Sequence, residues 1–370
     1  MKNKKLLIVM GIITAIIIGA IGFRTAYDPD PRPIVRIGVS LPLTGGVAFV
    51  GQPAREAAQM ALDKWEQRDT RFRYQLIFED DMFDVRRTAM AGNRLINRYR
   101  VRALLGVWNI SNSQFRELAH RHDIVFMSCG WGHNTSDGQL VFNNQTPHDE
   151  HARAFTTIVR DKWRASRVAF VGQISSGDFA IRDDVLESFT KNNINVVFNE
   201  SAQYGETDYR MLIQQIRAAN PQGLVIIMAP AELQIFMRQW FAAGMNIPIT
   251  TVDYFVGTED PSIFNGMYMV TSSFGTPIFK EMFYGHTGRI VNSDCIAPLY
   301  DNIDILIYAF ENADTIPGEI PSSEAVADII RNINNWRGAM VENVSVRPDG
   351  RIFSPAGIAR IENGTAVQLR

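Results

Sequence analysis

A short run of β-branched and apolar residues, Ile34-Val35-Arg36-Ile37-Gly38-Val39, runs into a cluster of Pro, Thr and Gly and then into a helical stripe of small side chains. This stretch, residues 34–65, constrains the fold more than any other. The apolar run reads as a buried strand ending in a turn. After Gly45-Gly46, the residues Ala54, Ala58, Ala61, Leu62 and Trp65 share one face, as a helix packed on a sheet requires. Strand, small-residue loop and helix in that order form the unit of an open parallel sheet, which binds ligands at the carboxyl ends of its strands. The loop Leu43-Thr44-Gly45-Gly46-Val47-Ala48 lacks the G-x-G-x-x-G spacing that brings backbone amides to a pyrophosphate, which argues against a dinucleotide.

The same alternation continues along the chain. Residues 73–78 read as a second strand running into Glu79-Asp80-Asp81-Met82-Phe83-Asp84, where the acidic spacing fits no calcium loop and Asp84 is placed to cap a helix over 86–98. Strands are expected at 100–106 and 124–128. Between them Gly106-Val107-Trp108-Asn109-Ile110-Ser111-Asn112-Ser113 reads as a polar loop opening a helix at 114–120, whose hydroxyls, amides and free N–H groups suit a carboxylate. A second series follows: strands at 168–171, 194–198, 223–227 and 249–252, with helices at 183–192, 209–219 and 232–243. Repetition of this kind implies a second parallel sheet with helices on both faces. At 370 residues the chain exceeds one ordinary core, so two lobes are expected. A net charge of −2 gives no general reason to expect nucleic acid. No C-x-x-C, H-E-x-x-H or nucleotide loop occurs, so neither a metal site nor a cofactor is expected.

Residues 1–26 form a targeting segment: Lys2, Lys4 and Lys5 precede an almost unbroken apolar run over 6–18. Ala20-Ile21-Gly22 offers a small-x-small cleavage site, while the apolar length also approaches what a bilayer anchor needs. Both readings export the domain to the periplasm or an equivalent extracytoplasmic space. Residues 27–33, rich in Asp and Pro, read as a linker.

The run Arg36-Ile37-Gly38-Val39-Ser40-Leu41-Pro42-Leu43-Thr44-Gly45, with Gly51 behind it, resembles the start of a mature type I periplasmic binding protein of the leucine/isoleucine/valine-binding family. Further landmarks recur in order. Tyr204-Gly205-Glu206-Thr207-Asp208-Tyr209 is similar to the family's turn before a helix, with Asp208 as cap. Arg238 to Gly244 is similar to its helix end, Ala297-Pro298-Leu299-Tyr300-Asp301-Asn302 to its Tyr-Asp-Ala helix, and Val346-Arg347-Pro348-Asp349-Gly350-Arg351 to its late turn. Residues 356–365 read as a hairpin turning at Asn363-Gly364.

The resemblance implies an α/β fold of two doubly wound parallel-sheet lobes joined by a three-crossing hinge. It divides the chain into an N-terminal lobe of 34–144 plus 275–345 and a C-terminal lobe of 147–272 plus 350–370. It also implies an extracytoplasmic substrate-binding protein of an amino-acid ABC transporter, a monomer that closes on a small polar ligand and serves a membrane permease. A sensor domain feeding a signalling receptor is the alternative, and no enzyme signature is present.

By the same resemblance, the ligand's carboxylate is held by Asn109, Ser111, Gly130, Trp131 and Gly132, with Asn109 and Gly132 replacing hydroxyl residues of relatives. Asp253, after the strand at 249–252 and beside Tyr254, stands where relatives place the acid that pairs with the ligand's ammonium. Ser176 and Ala229 replace ligand-facing Tyr residues, and Val50 replaces another, which changes the pocket's shape. Cys129 and Cys295 both fall in the first lobe; two buried free thiols are expected, with a disulfide as the alternative.

Overall fold

The computed structural model describes residues 30–130, 135–173, 176–203, 205–252, 258–272, 274–291 and 293–369; the targeting segment lies outside them. Among the described residues the strands form two sheets. The first, all parallel, has the order β2-β1-β3-β4-β5, where β1 is Ile34–Leu41, β2 Arg73–Asp80, β3 Ala103–Val107, β4 Val125–Cys129 and β5 Val141–Asn143. A parallel sheet covered on both faces needs strands that are apolar throughout. Accordingly β3, β4 and β5 are buried at every residue.

On one face Val35, Ile37, Val39 and Leu41 of β1 meet α1 (Ala48–Glu66), and the chain returns much later to complete that layer with α8 (Pro277–Thr287), α9 (Ile296–Asn312) and α10 (Ser323–Arg331). On the other face α2 (Val85–Asn97) and α3 (Trp108–His122) pack through Leu95, Phe115 and Leu118. Asp84 caps α2 as expected, its carboxylate accepting the Arg87 N–H at 2.9 Å. Helix α1 starts six residues earlier than its apolar stripe suggests. Pro53, which fits a first helical turn, lies inside it instead.

The second sheet has the order β12-β11-β10-β9-β8-β6-β7, formed by β6 Arg167–Gln173, β7 Asn195–Ala202, β8 Gly223–Ile227, β9 Ile249–Val252, β10 Tyr268–Thr271, β11 Gly357–Glu362 and β12 Thr365–Gln368. β6 to β10 are parallel, and the closing pair is antiparallel. Asn363 and Gly364, at φ 50° and 71°, make the expected hairpin turn between β11 and β12. One face packs on α6 (Arg210–Ala219) and α7 (Pro230–Ala242) through Tyr209, Phe236 and Trp240; the other packs on α4 (His148–Thr157) and α5 (Ser176–Lys191) through Phe155, Val185 and Phe189. Asp208 accepts the Arg210 N–H at 3.1 Å and pairs with the Arg210 guanidinium, so it supports the start of α6 from one residue before the cap.

The chain passes between the two sheets three times: after β5, after β10, and between Ile352, which belongs to the first core, and β11. These crossings are tied together. The Ile352 N–H donates to Asn143 O at 2.9 Å and the Asn143 N–H to Gly350 O at 3.1 Å. His151 contacts Pro147 O at 3.0 Å and Ser272 Oγ at 3.2 Å, joining the first crossing to the second. Because a carbonyl only accepts, Nδ1 carries the proton and Nε2 accepts from the serine. Burial pushes the His151 imidazole down to about 4.

Cys129 and Cys295 are not free thiols. They form a disulfide between the end of β4 and the start of α9, Cα atoms 5.7 Å apart. Gln145, on the first crossing, donates to Asp294 Oδ2 at 2.7 Å beside it.

Candidate functional site

Counted within each sheet, both cores follow the order 2-1-3-4-5, so each has a switch point where the connections change direction, outside the carboxyl ends of its first and third strands. In the first lobe this point lies between the end of β1 and the start of α3. In the second it lies between Gln173, ending β6, and Ala229, preceding α7.

The segment expected as a polar loop before Gln114 is helical from Trp108. Val107 is extended, and Trp108 at φ 56° turns the chain directly from strand into helix. No Ser, Thr, Asp or Asn cap marks that start, which is why the sequence does not show it. Ser111 and Asn112 therefore sit directly behind the first turn, whose backbone N–H groups have no intrahelical acceptor. Both side chains are buried, and among the described residues neither Ser111 Oγ nor either polar atom of Asn112 has a hydrogen-bond partner. Glycines make room for them. A Cβ on Gly106 would stand 2.3 Å from Ser111 Cβ, and one on Gly130 would stand 2.0 Å from Asn112 Nδ2.

Asn143 holds Gly130 against this helix. Its Oδ1 accepts the Gly130 N–H at 2.9 Å and the Ser128 hydroxyl at 2.8 Å; its Nδ2 donates to Gly130 O at 2.9 Å and Thr135 Oγ1 at 3.0 Å. Asn112 falls within the segment expected to suit a carboxylate without being singled out there, and Asn143 does not stand out in sequence as a site residue. The available signal is an Asn closing an otherwise apolar strand, as in Val141-Phe142-Asn143.

The acidic run after β2 is structural. Asp80 accepts the Leu43, Thr44 and Met82 N–H groups and the Thr44 hydroxyl, tying the loop after β1 to that after β2. Partial burial raises its carboxyl, yet these hydrogen bonds outweigh that and hold it below the usual range. Asp81, fully buried, accepts from Ser40 Oγ at 2.7 Å and the Phe83 N–H at 3.0 Å; burial dominates and raises it. The Phe83 ring stands edge-on to that of Trp108, centroids 5.2 Å apart, beside the same crest. Val50 is buried in the first core.

In the second lobe the Gln173 carboxamide crosses the switch point: Oε1 accepts the Ala229 N–H at 2.8 Å, while Nε2 is buried without a partner among the described residues. Sequence reading did not single this residue out. Ser176 opens α5 and Asn109 is the second residue of α3; their side chains lie outside the described residues. So do Trp131, Gly132, Asp253 and Tyr254, with β9 ending at Val252 immediately before Asp253. The structure thus brings together Ser111 and Gly130 in one lobe, and sets Ala229 and the start of α5 on the other.

Two parallel-sheet lobes, joined by three crossings and each carrying a crest of small and polar residues at its switch point, define a two-lobed ligand-binding protein. The family model described as "Periplasmic binding protein" matches residues 34–366. The chain belongs to that family. Solved structures with the same fold include a leucine-binding protein from Thermotoga maritima, 20% identical with TM-score 0.79 over 91% of this chain and 98% of that one. A branched-chain amino acid transporter substrate-binding protein from Streptococcus pneumoniae, in complex with isoleucine, is 17% identical with TM-score 0.77, covering 91% of this chain and 100% of its own. A substrate-binding protein from Desulfitobacterium hafniense, complexed with Leu, is 17% identical with TM-score 0.76 over the same shares. No curated protein sequence matches the chain.

Proposed function

We propose that this chain is the extracytoplasmic substrate-binding component of an amino-acid-type ABC transporter. Exported by its N-terminal segment, it works as a monomer, takes an amino acid or a related amide between its N- and C-terminal lobes and hands it unchanged to a membrane permease. The observation that carries this reading is the buried pair Ser111 and Asn112 at the amino end of α3. Their donors have no partner among the described residues, in a place where free backbone N–H groups and the helix dipole favour an anion. A buried polar group without a partner costs about 1–3 kcal/mol, which an incoming carboxylate would recover. The neighbouring Asn109, Trp131 and Gly132 complete that cradle. Asp253, directly after β9, takes the ammonium group, with Tyr254, Ser176 and Ala229 around it. A ligand that contacts both lobes favours the closed arrangement by its differential contacts, and the three crossings act as the hinge.

The test is a thermal-shift screen against the amino acids, their amides and urea, with the exported domain and its Asp253→Ala variant. One amino acid is expected to raise the midpoint of the parent and to lose most of that shift in the variant. Equal shifts in both would remove the ammonium contact, and no shift from any amino acid would remove the reading.

A further inference from the structure

The second-lobe crest carries a polar group that the fold leaves unused. Gln173 ends β6, is 3% exposed, and is fixed at its oxygen by the Ala229 N–H at 2.8 Å. That bond anchors the start of α7 and needs only the oxygen. It also sets which way the carboxamide faces, because the oxygen must take the N–H and the nitrogen must point elsewhere. The nitrogen, with two N–H donors, is buried and has no acceptor among the described residues. Ala229 ends at Cβ and supplies none. Buried donors are almost always paired, so one left over at a switch point, on a side chain already immobilised, is a donor held ready for something outside the chain.

We propose that Gln173 is a specificity residue and reads a hydrogen-bond acceptor on the ligand's side chain. The ligand class is then an amino acid whose side chain ends in a carbonyl oxygen, an amide or a carboxylate, in preference to an aliphatic one. This rests on the amino-acid reading above and narrows it. An aliphatic side chain would cover the Gln173 nitrogen and leave it unpaired, whereas a side-chain carbonyl accepts from it. A single donor of this kind discriminates by about tenfold.

The experiment is calorimetric titration of the exported domain with glutamine, asparagine, glutamate, aspartate, leucine and norleucine, repeated with Gln173→Met and Gln173→Glu. In the parent the acceptor-bearing amino acids bind at least about tenfold tighter than the aliphatic ones. Gln173→Met collapses that ratio toward one. Gln173→Glu keeps an oxygen for the Ala229 N–H but replaces the donor with an acceptor, so it turns selectivity against glutamate and aspartate. Within the acceptor group, the parent's preference between amide and carboxylate distinguishes the two side-chain types. Parent protein that binds leucine as tightly as glutamine, or a ratio unchanged by Gln173→Met, overturns this proposal while leaving the amino-acid reading intact. Heat from none of the six overturns this proposal, and the amino-acid reading falls with it only if the wider screen also finds no amino acid that binds. Unliganded midpoints of the variants within a few degrees of the parent exclude loss of folding as the cause.

Discussion

Cys129 is bonded through sulfur to Cys295 across a sequence separation of 166, and the loop so closed contains β6 to β10 of the second sheet. Both residues are fully buried. A cross-link over so long a loop restricts the unfolded chain strongly, and typical disulfides contribute about 2–4 kcal/mol. Replacing both cysteines with alanine is expected to lower the unfolding free energy of the purified domain, extrapolated from urea melts, by an amount in that range. An unchanged midpoint would show that the surrounding contacts, including Gln145 to Asp294, hold the two lobes' junction without it.

Asp301, on α9, is fully buried and accepts the N–H groups of Ala339 at 2.5 Å and Met340 at 2.8 Å. Desolvation outweighs these bonds and raises its carboxyl to about 7. Below the unfolded value near 4 the contribution is fully present; as pH rises to 7 the folded state must either keep a proton or bury a charge, and stability is lost. The difference in unfolding free energy between the parent and Asp301→Asn should therefore shrink from pH 4 to pH 7, by on the order of 2–4 kcal/mol, and stay flat above. Denaturant melts at five or six pH values check the slope.

His151 has the opposite sign. Its buried neutral ring, lowered to about 4, bridges Pro147 and Ser272 on two crossings. The stability it contributes is present above pH 6.5 and is lost as pH falls toward 4, because the unfolded histidine takes up a proton and the folded one does not. His151→Gln should flatten the acid side of the stability profile. Since Asp301 and His151 act in opposing directions over overlapping ranges, only variant-minus-parent comparisons will separate them.

Gly130 has Asn112 against it, at a distance that leaves no room for a methyl group. Gly130→Ala should displace the Asn112 carboxamide and weaken ligand binding by at least about tenfold, as measured by titration, while the melting midpoint falls only by the few degrees that local overpacking of about 1–3 kcal/mol brings. Parent-like affinity would place the ligand's anionic end away from Asn112.

The fold was legible because its signals are local. β8 and β9 fall on the residues that their apolar runs and flanking breaks mark, and Asp84 caps its helix through a hydrogen bond that spacing alone suggests. The start of α3 was hidden, since Trp108 enters the helix from a left-handed conformation without a capping side chain. The pairing of Cys129 with Cys295 was hidden for a different reason: proximity across such a separation is a property of the folded core, and spacing carries no trace of it. Ser111 and Gly130 could be singled out through resemblance. Gln173, Asn112 and Asn143 could not, because each matters through a backbone or glycine neighbour brought close only by tertiary packing.

The layer that encloses β1 is built from the two ends of the chain: Val35 and Ile37 share one core with Ile303, Ile330 and Ile352. A polypeptide delivered amino end first must hold its opening strands uncovered while some 250 further residues are made. The second sheet waits as well, since β11 and β12 arrive last. Neither half is complete until residues beyond 350 have been made, and an apolar surface left waiting that long is where holding chaperones bind and where premature association begins.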